Sequence, residues 1–245
     1  MRRRTGGTTV PARLIVLANS LKHGDSCLAG IEISTGKWVR PVTTLGDGRV
    51  RQSDMKLGGR VPQMLNILDI PLDATGPDFG FESENRTILP GPWHLQGRAS
   101  PNDLLRYVKP SHYILHNHRK YVTVEEMKQR PFAERTTLQL VRVGNFTIRD
   151  TKSPSKEKHN WKGVISSGGR ALELSITDPV LCDKLSKGYK LSTSCLLTMS
   201  LSMPYKPPEW KTDEPPVCWK LIAGIIELIP AASGTQDSPV RDDRK

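Results

Sequence analysis

Nineteen prolines and 20 glycines are spread through the 245 residues, and this punctuation leaves no room for long regular elements. Proline removes a backbone donor and fixes φ, while glycine loosens the chain and marks turns. Segments between such residues have strand length, not helix length. No apolar run approaches the roughly 20 residues of a membrane-crossing helix; the longest, around Leu221–Ile229, is strand-sized. The chain is therefore expected to be mainly β with short helices, and no membrane association is expected.

Residues 1–12 form a basic, Gly/Thr-rich arm expected to be mobile. Arg13–Asn19, with Leu14, Ile15, Val16 and Leu17 in succession, reads as a strand buried on both faces. Cys27–Ile33 and Trp38–Val42 read as two more strands, joined through Ser34-Thr35-Gly36-Lys37 into a hairpin. The glycine-rich stretch 43–59 is expected to be an exposed loop, Leu65–Ile70 a strand, and 73–98 irregular because of Pro77, Pro90 and Pro92. Ser100 followed by Pro101 signals a helix running to about Val108. Thr123 and Glu126 form a capping box opening a second helix, which Pro131 ends.

Strand patterning returns at Thr137–Val143, Phe146–Arg149, 172–176, Leu196–Leu201 and Lys220–Ile229. A turn is expected at Gly144-Asn145, and a proline-rich excursion at Pro204–Pro216. The polar tail 230–245 is expected to be disordered. Leu28-Ala29-Gly30-Ile31 is echoed by Ile222-Ala223-Gly224-Ile225, which leaves an internal duplication open. This gives an arm at 1–12, a first β unit at 13–130, a second at 131–229 and a tail.

The formal charge is +11, and the excess is front-loaded: residues 1–60 carry +7 and the other 185 only +4. Such an excess favours anionic partners, nucleic acid above all. The four cysteines lack CxxC spacing and suit a reducing compartment. Met1-Arg2-Arg3-Arg4 could open a signal peptide, but the apolar stretch after it is too short. A cytoplasmic location is expected.

Motifs for catalysis are missing: no G-x-S-x-G, no phosphate loop ending in Gly-Lys-Ser/Thr and no obvious carboxylate pair. His112, His116 and His118 would share one face of a strand, but Arg119 and Lys120 follow and no carboxylate lies close in sequence, so no metal is expected. Asp178 most simply caps the segment after it. Trp38-Val39-Arg40 is more informative, because on a strand Trp38 and Arg40 point the same way, about 7 Å apart. A stacking plate beside an anion donor suits a nucleotide; the alternative is a core tryptophan with Arg40 packed over it. Lys22, Lys37, Arg49 and Arg51 would add positive potential around this face, and Trp161, Lys162 and Arg170 form a looser second group.

Six blocks occur in one order: Leu17-Ala18-Asn19-Ser20, Cys27-Leu28-Ala29-Gly30, Gly36-Lys37-Trp38-Val39-Arg40-Pro41-Val42, Leu174-Ser175-Ile176-Thr177-Asp178-Pro179, Leu196-Leu197-Thr198-Met199-Ser200-Leu201 and Lys220-Leu221-Ile222-Ala223-Gly224-Ile225-Ile226. Together they resemble the prokaryotic dual OB-containing domain family over about Ala12–Ile229. The resemblance implies two tandem OB-like β-barrels joined by an irregular, partly helical middle. It further implies a non-catalytic module for nucleic acid or a nucleotide-like ligand, within defence or mobile-element systems. Single-stranded nucleic acid is the expected partner, with no cofactor; a small-molecule or nucleotide sensor is the alternative. A hydrolase or transferase with dispersed residues would be a third reading.

Overall fold

The computed structural model describes residues 11–22, 24–152 and 159–228, the side chains of Leu21 and Lys22 excepted. Most of the basic arm and the tail after 230 lie outside the described residues. Six strands build a first sheet: β1 (Ala12–Lys22), β2 (Asp25–Glu32), β3 (Trp38–Val42), β4 (Asn66–Ile70), β5 (Asn85–Thr87) and β6 (His94–Arg98). Seven build a second: β7 (Tyr121–Thr123), β8 (Leu138–Gly144), β9 (Thr147–Asp150), β10 (Trp161–Ser167), β11 (Arg170–Ile176), β12 (Ser194–Leu201) and β13 (Val217–Glu227). The architecture is mainly β in two tandem units. Among the described residues, no helix is long and apolar enough to cross a membrane.

The first sheet runs β5-β3-β2-β1-β4-β6, antiparallel except where β5 lies parallel to β3. The second runs β8-β12-β13-β11-β10-β9, with β7 added to β13 and β11 parallel to β13. β7, at Tyr121–Thr123, therefore joins the second sheet through β13 although it precedes residue 131. Ala12 is already buried within β1.

The uninterrupted apolar run in β1 has a packing reason. Leu14 and Val16 face the core of the first unit with Leu28, Leu68, Ile70 and Trp93. Ile15 and Leu17 face the other way, into a shared core with Leu140, Leu196 and Ile226 of the second unit. A strand buried on both faces has no polar row to alternate. The two units are thus packed on one another through the sheet that each would otherwise expose.

Both tetrapeptides of the echo lie beside a β-bulge. Gly30 pairs with Val16 and Ala29 with Ala18, leaving Leu17 as the extra residue of β1. Gly224 pairs with Thr198 and Ile222 with Met199, leaving Ala223 extra in β13. Bulges bend and twist a strand, and glycine beside one lets the backbones close up.

Other expectations shift locally. The stretch 73–98 carries β5 and β6, short edge strands on either side of Pro90 and Pro92. The Ser100 cap is present, but Pro101–Tyr107 is a 3-10 helix, with Ser100 Oγ accepting from Asn102 N at 3.3 Å. The Thr123/Glu126 capping box opens α1 (Val124–Lys128). Gly144-Asn145 does not close a hairpin, because β8 pairs with β12 and β9 with β10. Gly168-Gly169 does, joining β10 to β11 with both residues at positive φ. Asp178 caps α2 (Pro179–Ser186), its Oδ1 accepting from Val180 N and Leu181 N at 3.0 Å each.

Candidate nucleic-acid interface

Arg40 is not on the surface. It is 6% exposed and pairs with Glu82 through Nη1. Its Nη2 donates to Thr137 Oγ1 at 3.0 Å and reaches Ser200 Oγ at 3.5 Å, both on the second unit. Glu84 completes the network: Oε1 accepts from Thr137 N at 2.5 Å, and Oε2 from Thr137 Oγ1 at 3.1 Å. Burial alone would lower the guanidinium pKa, but Glu82 and Glu84 outweigh it and hold the group firmly charged. Burial pushes the Glu84 carboxyl up, against the pull of Arg40. This is a buried ion network fastening one unit to the other, so Arg40 is removed from the proposed surface. The strand carrying it turned inward because the second unit covers that face.

Of the remaining eight positions, the seven with described side chains do not line one pocket. Lys37 is exposed and Trp38 half-buried, and both line the same cleft. Trp38 also packs against two core clusters, one containing Leu104 and Leu140 and the other Ala18, Ala29, Leu138 and Ala223, so part of its ring serves the interior. Lys22 ends β1, and its side chain lies outside the described residues. Arg49 is tied to Asp25 at 3.1 Å and to Asp47 at 3.5 Å. Arg51 is exposed at the start of the short 3-10 helix Gln52–Asp54. Trp161 stacks on His159 at 5.4 Å and donates to Ser186 Oγ. Arg170 is exposed at the β10–β11 hairpin. Lys162 lies in a separate pocket, its Nζ 2.6 Å from Ser175 Oγ.

The cleft that Lys37 and Trp38 line has a volume of about 1,040 Å³ and runs between the two units. Tyr107, Tyr113 and Phe132 line it with Trp38; Phe132 is 52% and Tyr113 39% exposed. Large aromatic surface left in water is informative, since such rings are ordinarily covered. Cations accompany them: Lys37, Lys109 and Arg130 line the same cleft. Arg106 lies 4.8 Å over the Tyr107 ring and Arg135 5.8 Å from the Phe132 centroid. The carboxylate in the lining is Glu84, already engaged with Thr137.

Local geometry fixes these groups. Gly36 takes positive φ in the β2–β3 turn, a conformation that strains any residue with a side chain, whereas a Cβ built there would meet the Tyr107 ring only at an ordinary 3.6 Å. Leu115 and His116 both adopt positive φ, so the three histidines follow an irregular loop and share no strand face. His116 Nε2 donates to Thr136 O at 2.6 Å, and burial lowers its pKa, keeping the ring neutral. Tyr107, Lys109, Tyr113, Arg130 and Phe132 were not among the sequence-derived candidates. They occupy the irregular connection between the units, and the available signal was its close interleaving of aromatic and basic residues from Arg106 to Arg135.

The chain matches the family described as dual OB-containing domain across residues 12–225. It belongs to the dual OB-containing domain family. The match spans both sheets and the connection that lines the cleft. OB architecture suggests a binding module. Neither a curated protein nor a solved structure matches the chain.

Proposed function

We propose that this member of the dual OB family is a non-catalytic binding module for single-stranded nucleic acid, held in the cleft between its two units. The observation that carries the reading is the convergence of Trp38, Tyr107, Tyr113 and Phe132 with Lys37, Lys109 and Arg130. Bases stack on aromatic faces at about 1–3 kcal/mol each without regard to sequence, while cations track the phosphates. The overall +11 charge would raise the rate of encounter. A cleft about 1,040 Å³ in volume and open to solvent suits unpaired nucleotides, which present their rings, better than a stacked duplex.

Fluorescence anisotropy with labelled single-stranded DNA and RNA tests this. Binding is expected for unrelated sequences, weakening steeply between about 50 and 200 mM salt. Phe132→Ala, at an exposed ring, should reduce affinity about tenfold with the fold unchanged by circular dichroism. Affinity that is negligible at low salt for every oligonucleotide, or indifferent to Phe132→Ala, would remove the proposal.

A further inference from the structure

A second pocket lies on the second unit and shares no lining residue with the inter-unit cleft, with a volume of about 450 Å³. The register of three strands assembles it. Lys162 on β10 pairs with Ser175 on β11, and Ser175 with Leu221 on β13. Glu173 and Trp219, two residues along their strands, share that outward face. Lys120 is brought alongside because Lys220 N donates to Lys120 O at 2.9 Å, while β7 continues the pairing on β13. Tyr205 closes the pocket from the proline-rich excursion, 54% exposed.

Two properties of this pocket point to a ligand. First, Lys120 and Lys162 both line the pocket, and neither has a carboxylate at salt-bridge distance among the described residues. Lys162 is half-buried, and its pKa is lowered by burial first, with Glu173 opposing and Lys120 adding to the effect. Glu173 lines the pocket but is in salt-bridge contact with neither lysine, so two ammonium groups at one pocket favour a further anion between them. Second, Trp219 is held rigidly. Its Nε1 donates to Tyr205 O at 3.2 Å, and its ring meets those of Tyr121 and Trp210 at 5.5 and 5.6 Å. Three rings this close leave no space between them for a cation, so what Trp219 offers is its half-exposed side in the pocket.

We propose that this pocket is a site for a single nucleoside monophosphate, with the phosphate between Lys120 and Lys162 and the base against Trp219. Ser175 Oγ adds a hydroxyl beside the phosphate position, and Glu173 offers an acceptor for ribose hydroxyls or an exocyclic amine. The volume falls in the range of small-ligand pockets, about 300–1,000 Å³, and Tyr205 blocks extension into a longer strand. The site is independent of the cleft and does not rest on the reading given for it.

Isothermal titration of the full chain with AMP, GMP, CMP and UMP, with the matching nucleosides and with inorganic phosphate, tests the site. At least one monophosphate is expected to bind, with its nucleoside and free phosphate each about tenfold weaker. The double variant Lys120→Gln/Lys162→Gln should lower the monophosphate affinity about tenfold and erase the preference over the nucleoside. Lys37→Gln/Lys109→Gln, which alters only the cleft, should leave monophosphate binding unchanged. The proposal is overturned if no monophosphate binds, if nucleoside and monophosphate bind alike, or if the pocket variant keeps full affinity while folded. Oligonucleotide binding that persists in the pocket variant keeps the two sites distinguishable.

Discussion

Gly224 on β13 stands directly against the carbonyl oxygen of Leu17 on β1, so closely that a Cβ at position 224 would overlap it. Leu17 is the extra residue of the β1 bulge, and Ala223, beside Gly224, is the extra residue of the β13 bulge. The two units therefore touch bulge to bulge, backbone to backbone, at the middle of their shared core.

Gly224→Ala should for that reason destabilise the whole chain by about 1–3 kcal/mol, the usual cost of forcing volume into a packed interior. A backbone oxygen is the obstacle, and it cannot swing away as the nearby Met64 methyl can. Gly144→Ala is the control, since nothing lies near its missing Cβ; it should stay within about 0.5 kcal/mol. Urea midpoints decide the matter, and equal midpoints would mean that the units can part without cost.

Arg40→Met should cost about 3–5 kcal/mol, because it leaves the Glu82 and Glu84 carboxylates buried without their cation. The added Glu82→Met change removes one of those charges, so the double variant should unfold at higher denaturant than Arg40→Met alone. The Arg40→Met deficit should also shrink as pH falls toward 5, since protonation neutralises the stranded carboxylates. A deficit constant across that range would contradict the network.

Many of the strand positions were legible because proline, glycine and apolar runs fix where strands begin and end. Trp38–Val42 is present with those bounds, and the two caps at Ser100 and Thr123 are in place. The direction in which a strand faces was not legible where both of its faces are buried. Arg40 illustrates this: a strand of period two places it beside Trp38, but only the second unit, almost a hundred residues later at Thr137, decides that its side is interior. Tyr107, Tyr113 and Phe132 were missed for the converse reason. Irregular segments have no periodicity, so nothing in their spacing tells which rings will meet across a cleft.

Lys220 gives a pH signature. It is 2% exposed, with Nζ donating to Asn117 O at 2.6 Å and to Asn117 Oδ1 at 3.0 Å. Burial lowers its pKa to about 7, with Arg119 adding to the effect and Glu126 opposing it. The unfolded chain holds this proton up to about pH 10.4, so between about pH 7 and that value the unfolded state binds more protons. Stability must then rise with pH in this window, by at most about 1.4 kcal/mol per unit from this group. Above pH 9 the buried thiols Cys195 and Cys218, pushed up to about 11 and about 12, act in the opposite direction. The difference between wild type and Lys220→Met isolates the lysine. Parallel curves from pH 7 to 9 would show that its pKa is not depressed.

The last expectation concerns how the cleft reads phosphates. If Lys37 and Lys109 each neutralise one phosphate of a single strand, each contributes about −0.7 to the slope of log K against log salt. Lys37→Gln/Lys109→Gln should therefore flatten that slope by about 1.4, with the loss of affinity greatest at low salt. Phe132→Ala acts through stacking, which releases no counterions, so it should lower the line without tilting it. The contrast separates the two contributions within one set of titrations. Slopes unchanged by the lysine pair, measured on protein of wild-type stability, would place the phosphates elsewhere than along the rim formed by the β2–β3 turn and the connection between the units.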